Sequence, residues 1–153
     1  MDHWTVYLAG EIHSSWRDDV IAAARRLDVP ARFVSPELDH DASDRCGVEI
    51  LGPEDRSFWA DRKGAGLNAV RTQSLLRRAD IVVACFGEKY RQWNGAFDAG
   101  QAVAASLPLI TLHPESLDHA LKEVDAAACA VARTPEQVAK ALAYALGKGG
   151  EAG

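Results

Sequence analysis

The sequence predicts an α/β domain, a three-layer α/β/α sandwich around a five-stranded parallel sheet in the order 2-1-3-4-5. Three observations carry that expectation. Residues 79–112 read as one βαβ unit: a near-continuous apolar, β-branched run from Ala79 to Phe86, an alanine-rich helical segment, then a second apolar run ending at Leu112. Runs of that kind, without strict alternation, are what strands covered by helices on both faces require. Similar short runs alternate with helical patterns along the rest of the chain, which places successive strands in parallel. Finally, 153 residues with 48% apolar and 25% charged content match one soluble domain with a real core. That domain is expected over residues 1–147, with the glycine-rich residues 148–153 as a loose tail.

In order, residues 3–9 read as the first strand, and Gly10 ends it where a tight turn or a close backbone approach is needed. Residues 15–27 read as the first helix. Ser14 or Ser15 is its expected cap, Asp18 and Asp19 suit its first turn, and Arg25 and Arg26 suit its last. Residues 31–34 form a short second strand. From 35 to 66 there is no long periodic pattern beyond short helices expected over 44–50 and 53–60, and the segment is read as a lid or pocket wall. Residues 67–78 form the next helix, with Leu67, Val70 and Leu75 as core contacts. The βαβ unit follows, with Asn94 as a candidate cap for a helix over 94–105. Residues 116–124 then read as a helix and 128–132 as a weak fifth strand. Thr134-Pro135-Glu136-Gln137 starts the last helix, which runs to about Leu146: threonine caps, proline takes the first position, and glutamine follows three residues after the cap.

Bulk properties narrow the partners. A net charge of −5 with no basic block argues against a nucleic-acid polymer. No apolar run approaches bilayer length and no signal peptide is evident, so no membrane partner is expected. Cys46, Cys85 and Cys129 have neither zinc nor redox spacing. Cys85 and Cys129 are expected as small buried hydrophobes, in keeping with a reducing cytoplasm.

The stretch Asn94-Gly95-Ala96-Phe97-Asp98-Ala99-Gly100-Gln101-Ala102, after a strand and a polar loop, resembles the nucleoside 2-deoxyribosyltransferase superfamily. There the matching stretch is a Gly-Thr-Ala-Phe-Glu-like turn into a helix whose glutamate is the nucleophile, and Asp98 falls on that glutamate. The carboxylate here is one methylene shorter, and Gln92 stands where that family has an aspartate. Nearly the whole chain resembles the bacterial YtoQ family, through Val6-Tyr7-Leu8-Ala9-Gly10-Glu11-Ile12-His13-Ser14-Ser15-Trp16-Arg17, Phe86-Gly87-Glu88-Lys89-Tyr90-Arg91-Gln92-Trp93-Asn94 and His113-Pro114-Glu115-Ser116-Leu117. The resemblance implies the flavodoxin-like strand order already read from the pattern. It also implies a homodimer or higher homo-oligomer, since related enzymes complete their pockets across an interface.

In open parallel sheets, ligands bind outside the carboxyl ends of the strands at the switch point, here between strands one and three. That places Gly10, Glu11, His13, Ser14 and Ser15 beside Gly87, Trp93, Asn94 and Asp98. By itself Asp98 reads as a helix-dipole or salt-bridge carboxylate; the resemblance makes it a nucleophile or stabilising carboxylate. Glu11 or His13 is a candidate proton donor to a leaving base, imidazole being suited to acid–base work near neutral pH. Free N–H groups and two hydroxyls at Ser14 and Ser15 make a candidate phosphate site, against the plainer reading of helix capping. Tyr90, Trp93, Phe58 and Trp59 offer rings for a base or simply pack a lid. His40 and Asp44 lie in an acidic cluster whose spacing matches no standard metal loop; they are expected as pocket groups, with no metal and no cofactor.

The function expected is cleavage or transfer at the N-glycosidic bond of a small nucleoside or nucleotide. The rival is a non-catalytic nucleotide-binding or sensor module using the same pocket. A third reading, a hydrolase centred on His40 and Asp44, would be sensitive to chelation.

Overall fold

The computed structural model describes residues 4–147. His3 at the expected start of the first strand and the expected tail at 148–153 lie outside the described residues. The chain forms two compact units, one from residues 4–34 with 79–147 and one from Ser35–Arg78.

The first unit is the sheet domain. Its strands are β1 (Trp4–Gly10), β2 (Ala31–Val34), β3 (Ile81–Cys85), β4 (Leu109–Leu112) and β5 (Ala130–Ala132). All neighbours pair in parallel in the expected order β2-β1-β3-β4-β5. Side chains alternate across the pleat. Val6, Leu8, Val83, Cys85, Ile110 and Leu112 face α1 (Trp16–Arg26) and α6 (Pro135–Leu146) in one continuous core. Tyr7, Ala9, Val82, Ala84, Leu109 and Thr111 are buried too, on the face that packs against α4 (Trp93–Ala104) and α5 (Lys122–Ala127). Burial on both faces is why these strands read as unbroken apolar runs.

Helix α6 shows the local logic. Thr134 caps it by accepting the N–H of Gln137 at 3.2 Å, and Pro135 takes the first position, as the sequence predicts. Val138, Leu142 and Leu146, one turn apart, are buried against α1 and the sheet, each contributing about 1.5–3 kcal/mol. The expected helix over 116–124 is instead a short 3-10 turn (Glu115–Leu117) followed by α5. Cys129 is exposed, not buried. The edge strand β5 has a neighbour on one side only, so the apolar pattern around it does not guarantee burial.

The second unit is a helical hairpin, α2 (His40–Leu51) and α3 (Ser57–Leu76). The sequence broke this region into a lid, two short helices and a third at residue 67; the structure joins the last two into one 20-residue helix through Gly64 and Gly66. Packing explains the tolerance. A Cβ at Gly47 would stand 2.3 Å from the Gly64 nitrogen, so the two helices meet backbone to backbone. Asp39 caps α2 through the Ala42 N–H at 3.1 Å, so the helix begins at His40, four residues ahead of the expected start. The Lys63 ammonium donates to the carbonyls of Leu51 and Gly52 at the other end, at 3.3 and 3.1 Å, and pairs with Glu54 at 2.7 Å. Val70, expected in a core, is 64% exposed, while Leu76 is buried. Among the described residues no helix is long and apolar enough to cross a membrane.

Candidate active site at the switch point

The sheet's switch point is built on Gly10. Its φ is +104°, and a Cβ there would lie 2.1 Å from the carbonyl oxygen of Cys85, its register partner on β3. Only glycine meets both conditions. Gly95, in the first turn of α4, presses against the same point: a Cβ on it would fall 2.9 Å from the Gly10 Cα. This contact brings the start of α4, which carries Asp98, against the loop after β1.

That loop turns inward at Glu11, which is 7% exposed. Its N–H donates to Cys85 O at 3.0 Å. Its carboxylate accepts hydrogen bonds from the His13 N–H and the Ser14 hydroxyl. Its carbonyl oxygen accepts from the Trp16 indole at 2.6 Å and from Arg17 Nη1 at 2.5 Å. Ser15 occupies the cap position of α1 but makes no capping bond; its hydroxyl donates to Asp19 at 2.9 Å. Arg17 is itself buried, donating from Nε and Nη2 to Leu8 O at 3.1 and 3.0 Å and from Nη2 to Gly10 O at 3.4 Å. Burial lowers its pKa from the ordinary value, while Cys85, Tyr7 and Glu11 act the other way. Burial also pushes the Cys85 thiol up to about 12, so it stays protonated and unreactive, as expected for a core cysteine.

The loop after β3 is closed by Gln92, whose Oε1 accepts the Gly87 N–H at 3.0 Å. Gln92 also holds the cap position of α4, so Asn94, the candidate cap, is an exposed residue inside the first turn. Trp93 is exposed beside it. The His13 and Tyr90 rings lie 4.6 Å apart and join the two loops, with Lys89 Nζ over the Tyr90 ring at 5.4 Å from its centroid. Asp98 is half-buried on α4. Among the described residues its carboxylate takes no hydrogen bond and no ion pair, and burial pushes its pKa from 3.8 to about 6.

Of the expected site residues, the sheet domain thus carries Gly10, Glu11, His13, Ser14, Ser15 and Gly87 on the loops after β1 and β3, and Trp93, Asn94 and Asp98 at the start of α4. His40 and Asp44 belong to the helical hairpin. They pair with each other at 3.2 Å, one turn apart on α2, and both are exposed. Phe58 and Trp59 lie in the hairpin as well, edge to face at 4.9 Å.

A family model described as nucleoside 2-deoxyribosyltransferase YtoQ matches residues 7–146. The chain belongs to the YtoQ family. It is 47% identical over 139 residues to the uncharacterized protein YtoQ of Bacillus subtilis (strain 168), covering 91% of this chain and 94% of that one. Two solved structures share the fold at low identity. One is a conserved protein from Enterococcus faecalis V583, with TM-score 0.61 and 18% identity over 94% of this chain and 99% of the other. The second is a 2-deoxyribosyltransferase from Bacillus psychrosaccharolyticus, with TM-score 0.55 and 16% identity over 88% and 90% of the two chains.

The YtoQ-family sheet domain holds a further polar group that sequence reasoning missed. His113 follows β4 directly and is 1% exposed. Its Nε2 lies 2.8 Å from an Asp125 oxygen and its Nδ1 2.8 Å from Pro114 O, while Thr111 donates to Asp125 at 2.8 Å. Arg133, just after β5, donates to both oxygens of Asp118 at 2.6 and 3.2 Å. That bond holds the Asp118 carboxyl below its usual range and raises Arg133. The donor atoms of His113, Asp118 and Asp125 lie within 4.8 Å of one another, close enough for a metal, but the Arg133 guanidinium already supplies the cation beside Asp118. The signal for this network was a histidine placed at the end of a buried strand. The signal for Arg17 was an arginine next to a core tryptophan on an otherwise amphipathic helix.

Proposed function

We propose that this YtoQ-family chain cleaves or transfers at the N-glycosidic bond of a small nucleoside or nucleotide, with Asp98 as the carboxylate that meets the anomeric carbon. One observation carries the reading: a half-buried carboxylate without a hydrogen-bonding partner, its pKa raised to about 6, on a helix that packs against the loop bearing His13. Structural carboxylates are held by donors; one left bare and desolvated is suited to bind a developing positive charge. The family model's description supports the same class of substrate.

In this reading an Asp98 oxygen bonds to the anomeric carbon as the carbon–nitrogen bond breaks. The electron pair of that bond leaves with the base, which takes a proton from His13. Water, or a second base, then attacks the same carbon, gives its proton back to His13 and frees Asp98. Glu11 is the weaker proton donor of the two, because both its oxygens already accept hydrogen bonds. We also infer a homodimer, supported by the outer face of α4, where Trp93 and Phe97 are 73% and 67% exposed. The free cysteines support a reducing compartment.

The test is incubation of the protein with nucleosides and 5′-monophosphates, ribo and deoxy, with free base read by chromatography and Asp98→Asn alongside. Base release that vanishes in the variant supports the reading. Release that persists removes Asp98 from the chemistry. No release, with thermal stabilisation by one compound in both proteins, would make the pocket a binding module.

A further inference from the structure

The loops after β1 and β3 meet ring to ring. The main chain of His13 is anchored, since its N–H donates to the buried Glu11 carboxylate, but the residue is exposed. An exposed side chain spreads over several staggered rotamers. A proton donor serves only while it stands within hydrogen-bond reach of the group that takes the proton. The ring that meets the imidazole is that of Tyr90, with centroids 4.6 Å apart and planes inclined at 49°. That is the close end of the range of about 4.5–7 Å in which aromatic pairs attract.

Tyr90 is itself held by its surroundings. Gly87 donates to the Gln92 side chain at 3.0 Å, which closes the loop on either side of it. The Ser116 hydroxyl donates to Glu88 and ties the same loop to the turn after β4. Gly87 lies on Glu11, since a Cβ there would stand 3.2 Å from the Glu11 Cγ. Lys89 Nζ stands over the Tyr90 ring at 5.4 Å from its centroid.

We propose that Tyr90 is a positioning residue for His13: its ring, set by the clasped loop after β3, holds the imidazole where it hands its proton to the leaving base. This rests on the N-glycosidic reading above and deepens it. In this role Tyr90 gives up no proton of its own; it raises the fraction of time the imidazole is in place. A ring pair of this kind changes that fraction by up to about tenfold. The competing role is a platform on which the base stacks. It fits the geometry less well, because the ring already has an ammonium over it and an imidazole against it.

The test uses the full chain and the nucleoside it cleaves best, with Tyr90→Leu, Tyr90→Phe, His13→Gln and the double variant His13→Gln/Tyr90→Leu, each shown to keep the wild-type Tm. Tyr90→Leu should lower kcat by about tenfold and leave KM within about twofold, and Tyr90→Phe, which keeps the ring, should recover most of the loss. His13→Gln should lower kcat by about 100-fold or more, and adding Tyr90→Leu to it should cost no more than about a further twofold, because the two act as one unit. The decisive substrate is the N7-methylated purine nucleoside of the same sugar. Its base is already cationic and leaves as a neutral molecule with the electron pair of the broken bond, so it needs no proton. On it both single variants should fall within about twofold of wild type. Proton spectra give a readout independent of turnover: the His13 ring signals, shifted by the tyrosine ring, should move in Tyr90→Leu and stay in Tyr90→Phe. A raised KM with unchanged kcat in Tyr90→Leu would overturn the proposal in favour of the platform. Losses that multiply in the double variant, or that persist on the cationic base, would overturn it too, because Tyr90 would then act without His13. In each of those cases base release itself stands, and with it the glycosidic reading. Absence of base release from every substrate overturns both together, and is the one result that does.

Discussion

Replacing Asp98 by asparagine should make the folded chain more stable at neutral pH and, on the proposed reading, abolish base release. The carboxylate is half-buried without a donor, and burial raises its pKa from 3.8 to about 6. At about 1.36 kcal/mol for each pH unit, that rise sets a ceiling of about 3 kcal/mol on the cost of keeping the charge in the fold. Asp98 retains some contact with water, which screens the charge, so about 1–2 kcal/mol is the expected cost. The folded state holds the proton more tightly than the unfolded one. Wild type therefore loses stability as pH rises from about 4 to about 6, and the loss persists above that. Asparagine has no proton to lose. The difference between variant and wild type should be near zero at pH 4 and reach about 1–2 kcal/mol in favour of the variant at pH 7–8. Urea titrations read by tryptophan fluorescence across that range measure it, with unchanged m-values required. A variant less stable than wild type at pH 8, or a difference that does not change with pH, would refute the argument that Asp98 is an unsatisfied carboxylate held at the expense of stability. On the proposed reading, in which the ionised Asp98 attacks, the same titration predicts an acid limb near pH 6 in the rate of base release.

Three further outcomes follow from the geometry. Gly10→Ala should lose about 2–4 kcal/mol in urea unfolding, because φ of +104° and a contact of 2.1 Å with the Cys85 carbonyl oppose any side chain. Asp125→Ala should cost about 2–4 kcal/mol by leaving the buried His113 ring without its acceptor. Asp125→Asn, which keeps an oxygen for Thr111 or His113, should cost less. Thr134→Ala should remove the cap on the Gln137 N–H and cost about 1 kcal/mol, a drop in Tm of about 2–4 °C.

Much of the sheet domain was legible because its signals are local. A strand covered on both faces must be apolar along its whole length, so β1, β3 and β4 stand out from short windows. The start of α6 is written in four consecutive residues, since a cap acts within one turn. The parallel order with its switch point follows from the alternation of elements, and it brings Glu11 and His13 into the same domain region as Asp98.

What depends on a distant partner was not legible. The continuity of α3 across Gly64 depends on Gly47, seventeen residues earlier in the chain, presenting bare backbone to it. The exposure of Cys129 depends on β5 being an edge. Gln92 and not Asn94 takes the start of α4 because the loop after β3 needs the glutamine oxygen at Gly87. The sequence alone determined which residue types stand at the switch point, because spacing along strand and helix determines that. The tertiary structure decided their states. Asp98 is left without a donor and Glu11 is held by two, because burial and hydrogen-bond partners belong to the arrangement in space and not to the order in the chain.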